Sequence, residues 1–190
     1  MIYLIIGFAI VYLDFGIAIN EIGTIGLIPD FIGWFFIFYG LKKLSHLSMK
    51  FARVKYPSLV TGLLSVIIWV LDAVGVTKFF GAFSLPLMGA LCFMTLLITY
   101  RIIEGIDDIE TDNNADLNSK RLYKIFLPLC VTQSIGLLTT VFGMQILSFV
   151  FAIALLICVI IFIVFLTKAK QGFDALPEEV KKKEEKTEDE

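Results

Sequence analysis

MQILSFVFAIALLICVIIFIVFLT, the run at residues 144–167, holds 24 residues and no charged side chain. A helix needs about 20 mainly apolar residues to cross the hydrocarbon core of a bilayer. The run meets both the length and the polarity requirement, so it predicts a transmembrane helix.

The composition extends this prediction to most of the chain. Of the 190 residues 58% are hydrophobic and 18% are charged, and the mean hydropathy is +0.87. A soluble domain typically has ~45–50% apolar and ~25% charged residues. The charges are also clustered, so that long stretches carry almost none. This pattern excludes an ordinary soluble domain, most nucleic-acid-binding proteins and a chain that is disordered throughout.

Six apolar segments are candidate membrane helices, at residues 2–20, 25–41, 59–76, 79–103, 122–142 and 144–167. The predicted fold class is therefore all-α. It is a polytopic transmembrane helical bundle of about six spans, arranged as three helical hairpins over residues 1–172. A chain with four or five spans would need the second or the fifth segment, which contain Pro29 and Pro128, to be re-entrant or interfacial. Residues 173–190 have many charges, and they predict a disordered cytoplasmic tail.

The basic residues predict the orientation of this bundle. With six spans, 15 of the 16 lysine and arginine residues fall on one side of the membrane, and Lys78 is the exception. Short cytoplasmic loops carry an excess of lysine and arginine. Both termini are therefore expected in the cytoplasm.

Polar side chains inside the apolar segments are the candidate functional residues. Asp14 and Asp72 lie near the outer ends of the first and third segments, and Gln133 lies near the middle of the fifth. A charge inside a bilayer costs several kcal/mol unless it is paired or hydrated. Two carboxylates at one depth could share a proton or bind a cation, and Gln133 could line a polar path.

Each of these residues also has a structural interpretation. Asp72 could pair with Lys78, and Asp14 and Gln133 could hydrogen-bond to neighbouring helices. Asp30 follows Pro29 at the start of the second segment, where a carboxylate complements the helix dipole and can cap free N–H groups.

Two cytoplasmic segments have amphipathic patterns. Residues 42–55 place apolar and basic side chains on opposite helical faces, which predicts a helix on the inner leaflet. Its candidate contacts with anionic lipids are Lys42, Lys50 and Arg53. Residues 102–110 repeat isoleucine at helical spacing with acids between, which predicts an acidic continuation of the fourth helix.

The sequence contains no motif of a catalytic, metal or cofactor site. Its three cysteines, Cys92, Cys130 and Cys158, all lie in apolar runs and outside any C-x-x-C pair, so they are expected to be small buried hydrophobic residues. Motifs for nucleophilic catalysis, for zinc and for phosphate binding are lacking. The chain is therefore expected to be neither an enzyme nor a cofactor protein, and to bind no nucleic acid.

The stretch IGLIPDFIGW at residues 25–34 resembles an L-P-D-F-I-G-Y element found in a family of small multi-pass membrane proteins of Gram-positive bacteria. The EGIDDIE run at residues 104–110 is similar to the acidic exit from a middle span in the same family. Here Trp34 stands where the family has tyrosine. The resemblance implies a multi-pass protein of the bacterial cytoplasmic membrane, and it carries over no activity and no functional residue.

Two functions fit these patterns. The first is a small transporter or permeation unit for a cation or small solute, with Asp14, Asp72 and Gln133 as its polar site. The second is a non-catalytic membrane sensor or subunit that docks a cytoplasmic or membrane partner through residues 42–55 and 104–116. The expected surroundings are the lipid bilayer, its anionic inner-leaflet lipids, and a second copy or another membrane protein.

Overall fold

A computed structural model describes residues 1–12, 16–19, 23–26, 29–73 and 81–177, with side chains described over 1–12, 29–71 and 86–177. Within these ranges the chain forms six helices and one pair of four-residue strands, so the predicted all-α class holds for the bundle itself. The helices are α1 Ile2–Tyr12, α2 Asp30–Leu44, α3 Met49–Ala73, α4 Gly81–Asn113, α5 Ser119–Val141 and α6 Gln145–Asp174.

Four of the helices, α3 to α6, are long and apolar enough to cross a membrane, so the chain is a membrane protein. The first two are shorter. Helix α1 has 11 residues and α2 has 15. At 1.5 Å per residue they extend about 16 and 22 Å, less than the hydrocarbon core of about 30 Å.

The predicted first span is wrong beyond Tyr12. Instead of a helix to residue 20, two four-residue strands follow, β1 Gly16–Ile19 and β2 Gly23–Gly26. They pair antiparallel, with Gly16 opposite Gly26 and Ile17 opposite Ile25. Glycine weakens a helix and β-branched residues favour strands, and apolar content alone does not distinguish the two outcomes.

Other elements were predicted with the right type but with different first or last residues. Residues 42–55 were expected to form one amphipathic helix, which is wrong: α2 ends at Leu44, and α3 begins at Met49 after a turn. The acidic continuation of the fourth helix is confirmed, since α4 extends to Asn113. Residues 173 and 174, expected in the tail, belong to α6, and residues 178–190 of the tail lie outside the described residues.

The helices form a closed ring. Each helix packs against the next one along the chain, and α6 returns to α1. One end of the ring holds the start of α1, the turn at residues 45–48, the loop at 114–118 and the end of α6. Contacts of Gly40 with Leu4, of Ser48 with Asp108, and of Gly172 with Asp116 bring these segments together. We call this end the basic end, because most lysines and arginines lie there.

Near the basic end the ring is filled by a fully buried apolar core. Phe8 of α1 and Phe162 of α6 meet edge to face at its centre, with ring centroids 5.4 Å apart. The surrounding core side chains come from every helix: Leu4, Ile37, Leu41, Phe51, Ile98, Ile102, Leu129 and Leu166. This part of the bundle therefore has no continuous polar path among its described residues.

The helices α1 and α2 cross at two glycines. A Cβ on Gly7 would lie 2.7 Å from the carbonyl oxygen of Gly33, and a Cβ on Gly33 would lie 2.8 Å from that of Gly7. Since real Cβ atoms do not approach so closely, the two backbones touch only because both residues lack a side chain. Small residues at such crossings are typical of helix packing in membranes.

The acidic end of α4 holds the starts of two other helices in place. Asp108 accepts hydrogen bonds from the Ser48 hydroxyl at 2.6 Å and from Lys50 Nζ at 3.0 Å, at the start of α3. Glu110 accepts hydrogen bonds from two backbone amides before and at the start of α5, those of Leu117 and Ser119, both at 2.9 Å. The acids that the pattern placed between isoleucines thus bind partners within the chain.

Replacing Gly7 by alanine should destabilise the bundle. The new methyl group would overlap the α2 backbone, and overpacking of this kind typically costs about 1–3 kcal/mol. We expect a lower midpoint of thermal unfolding in detergent. The midpoint is measured from the fraction of protein that still elutes at the folded position in size-exclusion chromatography after heating. Gly89→Ala is the matched control, because nothing lies within 4 Å of a Cβ at Gly89. Equal midpoints for the two variants would contradict the close crossing.

Candidate functional site

All six helices surround one cavity of about 530 Å³ that is partly open to the outside of the bundle. It lies in the half of the bundle away from the basic end. Its lining is Val11 and Tyr12 of α1, Asp30 and Trp34 of α2, Thr61 and Ser65 of α3, Met88, Leu91, Cys92 and Thr95 of α4, Thr132, Gln133, Gly136, Leu137 and Thr140 of α5, and Ser148, Phe151, Ala152 and Leu155 of α6.

The position of the cavity follows from where α1 and α2 stop. Tyr12 is the last residue of α1 and Asp30 is the first of α2, and both line the cavity. Four long helices continue past this level, whereas α1 ends and α2 begins at it. Discontinuous helices that end at a cavity in mid-membrane are a recurring architecture of transporter binding sites.

A carboxylate and an amide give the cavity its strongest polar groups. Asp30 contributes the carboxylate from the first turn of α2. The Oε1 atom of Gln133 is buried and has no hydrogen-bond partner among the described residues. A buried acceptor without a partner costs about 1–3 kcal/mol, which a ligand or a water molecule that donates a hydrogen bond would recover.

The threonine hydroxyls of the lining donate hydrogen bonds to backbone carbonyls of their own helices. Thr61 donates to the carbonyl of Pro57 at 2.9 Å, Thr95 to that of Leu91 at 2.8 Å, and Thr132 to that of Pro128 at 2.8 Å. Each hydroxyl therefore offers only oxygen lone pairs to the cavity.

The direction of the Tyr12 hydrogen bond follows from its partner. Its hydroxyl lies 3.3 Å from Oγ1 of Thr99, and Thr99 already donates its proton to the carbonyl of Thr95 at 2.7 Å. Tyr12 must therefore be the donor of this pair, and its oxygen lone pairs remain as acceptors.

Ser148 is a donor for the same reason. Thr140 donates to Gly136 at 2.9 Å, so the 2.8 Å contact between Thr140 and Ser148 uses the Ser148 proton.

The remaining wall is apolar and aromatic. Trp34 and Phe151 provide ring surfaces, with Leu137 and Leu155 beside them. Trp34 is 3% exposed. No lysine, arginine or histidine is found among the described residues that line the cavity. Among the described residues the cavity therefore combines hydroxyl and amide groups, the Asp30 carboxylate and aromatic side chains.

The structure brings together only part of the predicted polar site. Gln133 lines the cavity as the path-lining interpretation requires. Asp14 lies outside the described residues, and Asp72 belongs to the end of α3 with its side chain outside them. Asp30, interpreted as a helix cap, is part of the cavity lining. A pairing of Asp14 with Asp72 stays a prediction.

The cysteines are less buried than expected. All three are free and of intermediate exposure, and Cys92 lines the cavity. Among the described residues no group of three histidine, cysteine or acidic side chains could hold a metal ion.

Sequence reasoning missed Tyr12, Trp34, Thr61 and Thr95. Hydroxyl and small residues recur at spacings of three and four along the apolar segments, as at Thr132, Gly136 and Thr140. Such a stripe marks one face of each helix, but it does not reveal that the stripes face one another.

The basic end carries aromatic and cationic pairs typical of a membrane interface. Lys43 Nζ lies 5.2 Å from the ring centroids of both Tyr3 and Tyr39, and Lys168 Nζ lies 5.8 Å from that of Phe165. Of the candidate lipid contacts, Lys42 and Arg53 are exposed, whereas Lys50 forms its ion pair with Asp108.

Comparisons with protein-family models, with curated proteins and with solved structures gave no match to this chain. Its function must therefore be inferred from its own residues.

Cys92 should react faster with a water-soluble maleimide than Cys158 does. Cys92 lines a polar cavity that can hold water, while Cys158 packs against the apolar core. The rates are to be compared in detergent between two variants that keep one cysteine each. Cys130→Ser combined with Cys158→Ser keeps Cys92, and Cys92→Ser combined with Cys130→Ser keeps Cys158. Equal rates would show that water does not enter the cavity.

Proposed function

We propose that the chain is a small transporter or permeation unit for a cation or another small polar solute. The observation that carries the proposal is the polar cavity shared by all six helices and ending on an apolar core. A cavity of about 530 Å³ lies within the range of about 300–1,000 Å³ typical of small-molecule sites. In this proposal, the cavity is the binding site of one conformation, and the core around Phe8 and Phe162 is the closed barrier.

The proposed orientation places the basic end in the cytoplasm of a bacterial cell. The lysine and arginine distribution supports it, and so do the interfacial pairs around Tyr3, Tyr39 and Phe165. The cavity then lies in the outer half of the membrane. The resemblance of residues 25–34 supports the bacterial cytoplasmic membrane as the location.

We propose that α1 and α2 complete six spans with the help of the strand pair. Helix α1 extends about 16 Å, and a four-residue strand adds about 13 Å at 3.3 Å per residue. Together they match a bilayer core of about 30 Å. Non-helical backbone is tolerated at membrane depth where protein covers it or where it borders a water-filled cavity, and β2 lies against α3.

The alternative is a non-catalytic sensor or subunit that docks a partner at the basic end. It would use residues 42–55 and the acids of residues 104–116 as a binding surface, and Lys42 and Arg53 of the first segment are exposed. In this chain Asp108 and Glu110 bind Lys50 and backbone amides within the same molecule, which leaves mainly Asp112 and Asp116 exposed. The engaged acids weaken the acidic half of this docking surface, and the cavity shared by six helices favours the transporter proposal.

Flux measurements test the proposal directly. In proteoliposomes under a set potential we expect passage of a proton, rubidium, methylammonium or glycerol. Gln133→Leu and Asp30→Asn should lower that flux by about tenfold or more, the scale of one lost polar contact. Asp72→Asn tests whether the predicted acid of α3 belongs to the same path.

Asp112→Asn is the control for these variants, because Asp112 is an exposed acid at the basic end, away from the cavity. The proposal fails if the folded wild type passes none of the four probes, or if the cavity variants and the control carry the same flux.

The orientation has its own test. An impermeant thiol reagent added outside intact cells should label Cys92 in the Cys130→Ser, Cys158→Ser background. It should not label Asp112→Cys in a variant without native cysteines until the cells are opened. The reverse labelling pattern would invert the topology.

A further inference from the structure

We infer that the exposed side of the α5–α6 hairpin binds an anionic phospholipid, with the headgroup at the basic end and the acyl chains along the two helices. This inference goes beyond the proposed function and does not depend on what crosses the membrane. It follows from the charge of the hairpin, from a ring that two cations share, and from the apolar surface beside them.

The hairpin carries an unbalanced positive charge. From residue 117 to residue 173 the chain has five lysines and arginines and no aspartate or glutamate. Lys170 forms an ion pair with Asp174, just past this stretch. The other four cations are exposed and form no ion pair with any described residue: Lys120, Arg121, Lys124 and Lys168. No acid of the hairpin itself therefore neutralises them.

The acids that reach the start of α5 from α4 and its loop bind uncharged groups instead. Asp107 accepts a hydrogen bond from the Ser119 hydroxyl at 2.6 Å. Glu110 accepts hydrogen bonds from the backbone amides of Leu117 and Ser119, both at 2.9 Å. The Asp116 side chain accepts one from the amide two residues later, at 3.0 Å. These carboxylates hold the first turn of α5 in place, and none of them forms an ion pair with a cation of the hairpin among the described residues.

One aromatic ring brings two of the cations together. The guanidinium carbon of Arg121, in the first turn of α5, lies 6.0 Å from the ring centroid of Phe165 on α6. The Nζ atom of Lys168 lies 5.8 Å from the same centroid. Each cation is attracted to the ring, but the two like charges repel each other. A phosphate group beside both would offset that repulsion, and its oxygens accept hydrogen bonds from guanidinium and ammonium groups alike.

The exposed surface next to these cations is apolar. On α5, Leu127 and Val131 follow Lys124 at spacings of three and four residues, which places all three on one face of the helix. On α6, Ile161 and Val164 precede Lys168 at the same spacings. All four apolar side chains are exposed. The hairpin thus presents positive charge at its basic end and apolar side chains beside it.

An anionic phospholipid matches both parts of this surface. Its phosphate complements the cations and its acyl chains cover the apolar side chains, whereas an acidic protein segment would match the cations alone. A zwitterionic lipid also brings an ammonium group, for which the hairpin has no acid. Basic pockets between membrane helices are known to bind anionic headgroups. The site is separate from residues 42–55, where Lys50 is paired with Asp108.

Lipid binding to the full chain in a neutral detergent tests the inference, with bound lipids counted by native mass spectrometry during titration. The probes are dioleoyl phosphatidylglycerol, dioleoyl phosphatidylcholine and glycerol phosphate. The phosphatidylglycerol should bind saturably and more tightly than the phosphatidylcholine. Replacing Arg121 and Lys168 together by glutamine should weaken its tightest site about 25-fold, at about fivefold for each lost cation.

Lys42→Gln combined with Arg53→Gln is the matched control. It removes the same charge from exposed positions at the same end of the bundle, on α2 and α3, and should leave the tightest phosphatidylglycerol site unchanged. Lys124→Gln is a second test that does not disturb packing, because the Lys124 side chain makes no hydrogen bond, ion pair or ring contact with the described residues. It should weaken phosphatidylglycerol about fivefold.

Three results would overturn the inference. The first is equal binding of phosphatidylglycerol and phosphatidylcholine, and the second is an equal loss of binding in the hairpin variants and in the control. The third is glycerol phosphate binding as tightly as the lipid, which would indicate a site for a free anion. A preference for phosphatidylglycerol that is lost only in the hairpin variants supports it, whatever the flux measurements show.

Discussion

The contact between Gly7 and Gly33 is the constraint on which the rest of the bundle depends. Two helix backbones can approach this closely only where neither residue has a Cβ atom. The close crossing lets the short helix α1 sit against α2 while its other side reaches α6 through Phe8 and Phe162. Closure of the ring, and therefore enclosure of a cavity, follows from that geometry.

The shortness of α1 and α2 has a second consequence. Here α1 ends at Tyr12 and α2 begins at Asp30, and both residues line the cavity. The same six helices thus make a packed apolar core at one end and a polar cavity at the other.

The hydroxyl oxygens that line the cavity face it as acceptors because of how hydroxyl groups behave in apolar surroundings. A hydroxyl group away from water satisfies its proton locally, and in a helix the carbonyl of the residue four positions earlier is the nearest acceptor. Thr61, Thr95 and Thr132 all do so. What each leaves toward the interior is an oxygen without a proton, so the lining becomes rich in acceptors without any added charge.

Much of the helical framework can be predicted from sequence because long uninterrupted apolar segments have few alternatives. Helix α5 begins three residues before its predicted start and ends one residue before its predicted end, and α6 begins one residue late. The first segment fails because hydropathy does not distinguish a helix from a strand, and Gly16, Ile17, Gly23 and Ile25 favour pairing. Gln133 was a predicted site residue because an amide in an apolar segment stands out.

The sequence by itself determined that this is a helical membrane protein, with its basic residues at one end and a few polar groups inside apolar segments. These properties depend on composition and on local spacing. Only the tertiary structure decided that Tyr12, Asp30, Thr95 and Gln133, which come from four helices, line one cavity. That result depends on how far each helix extends and on which faces meet across the ring, and both are set by contacts between residues far apart in the chain.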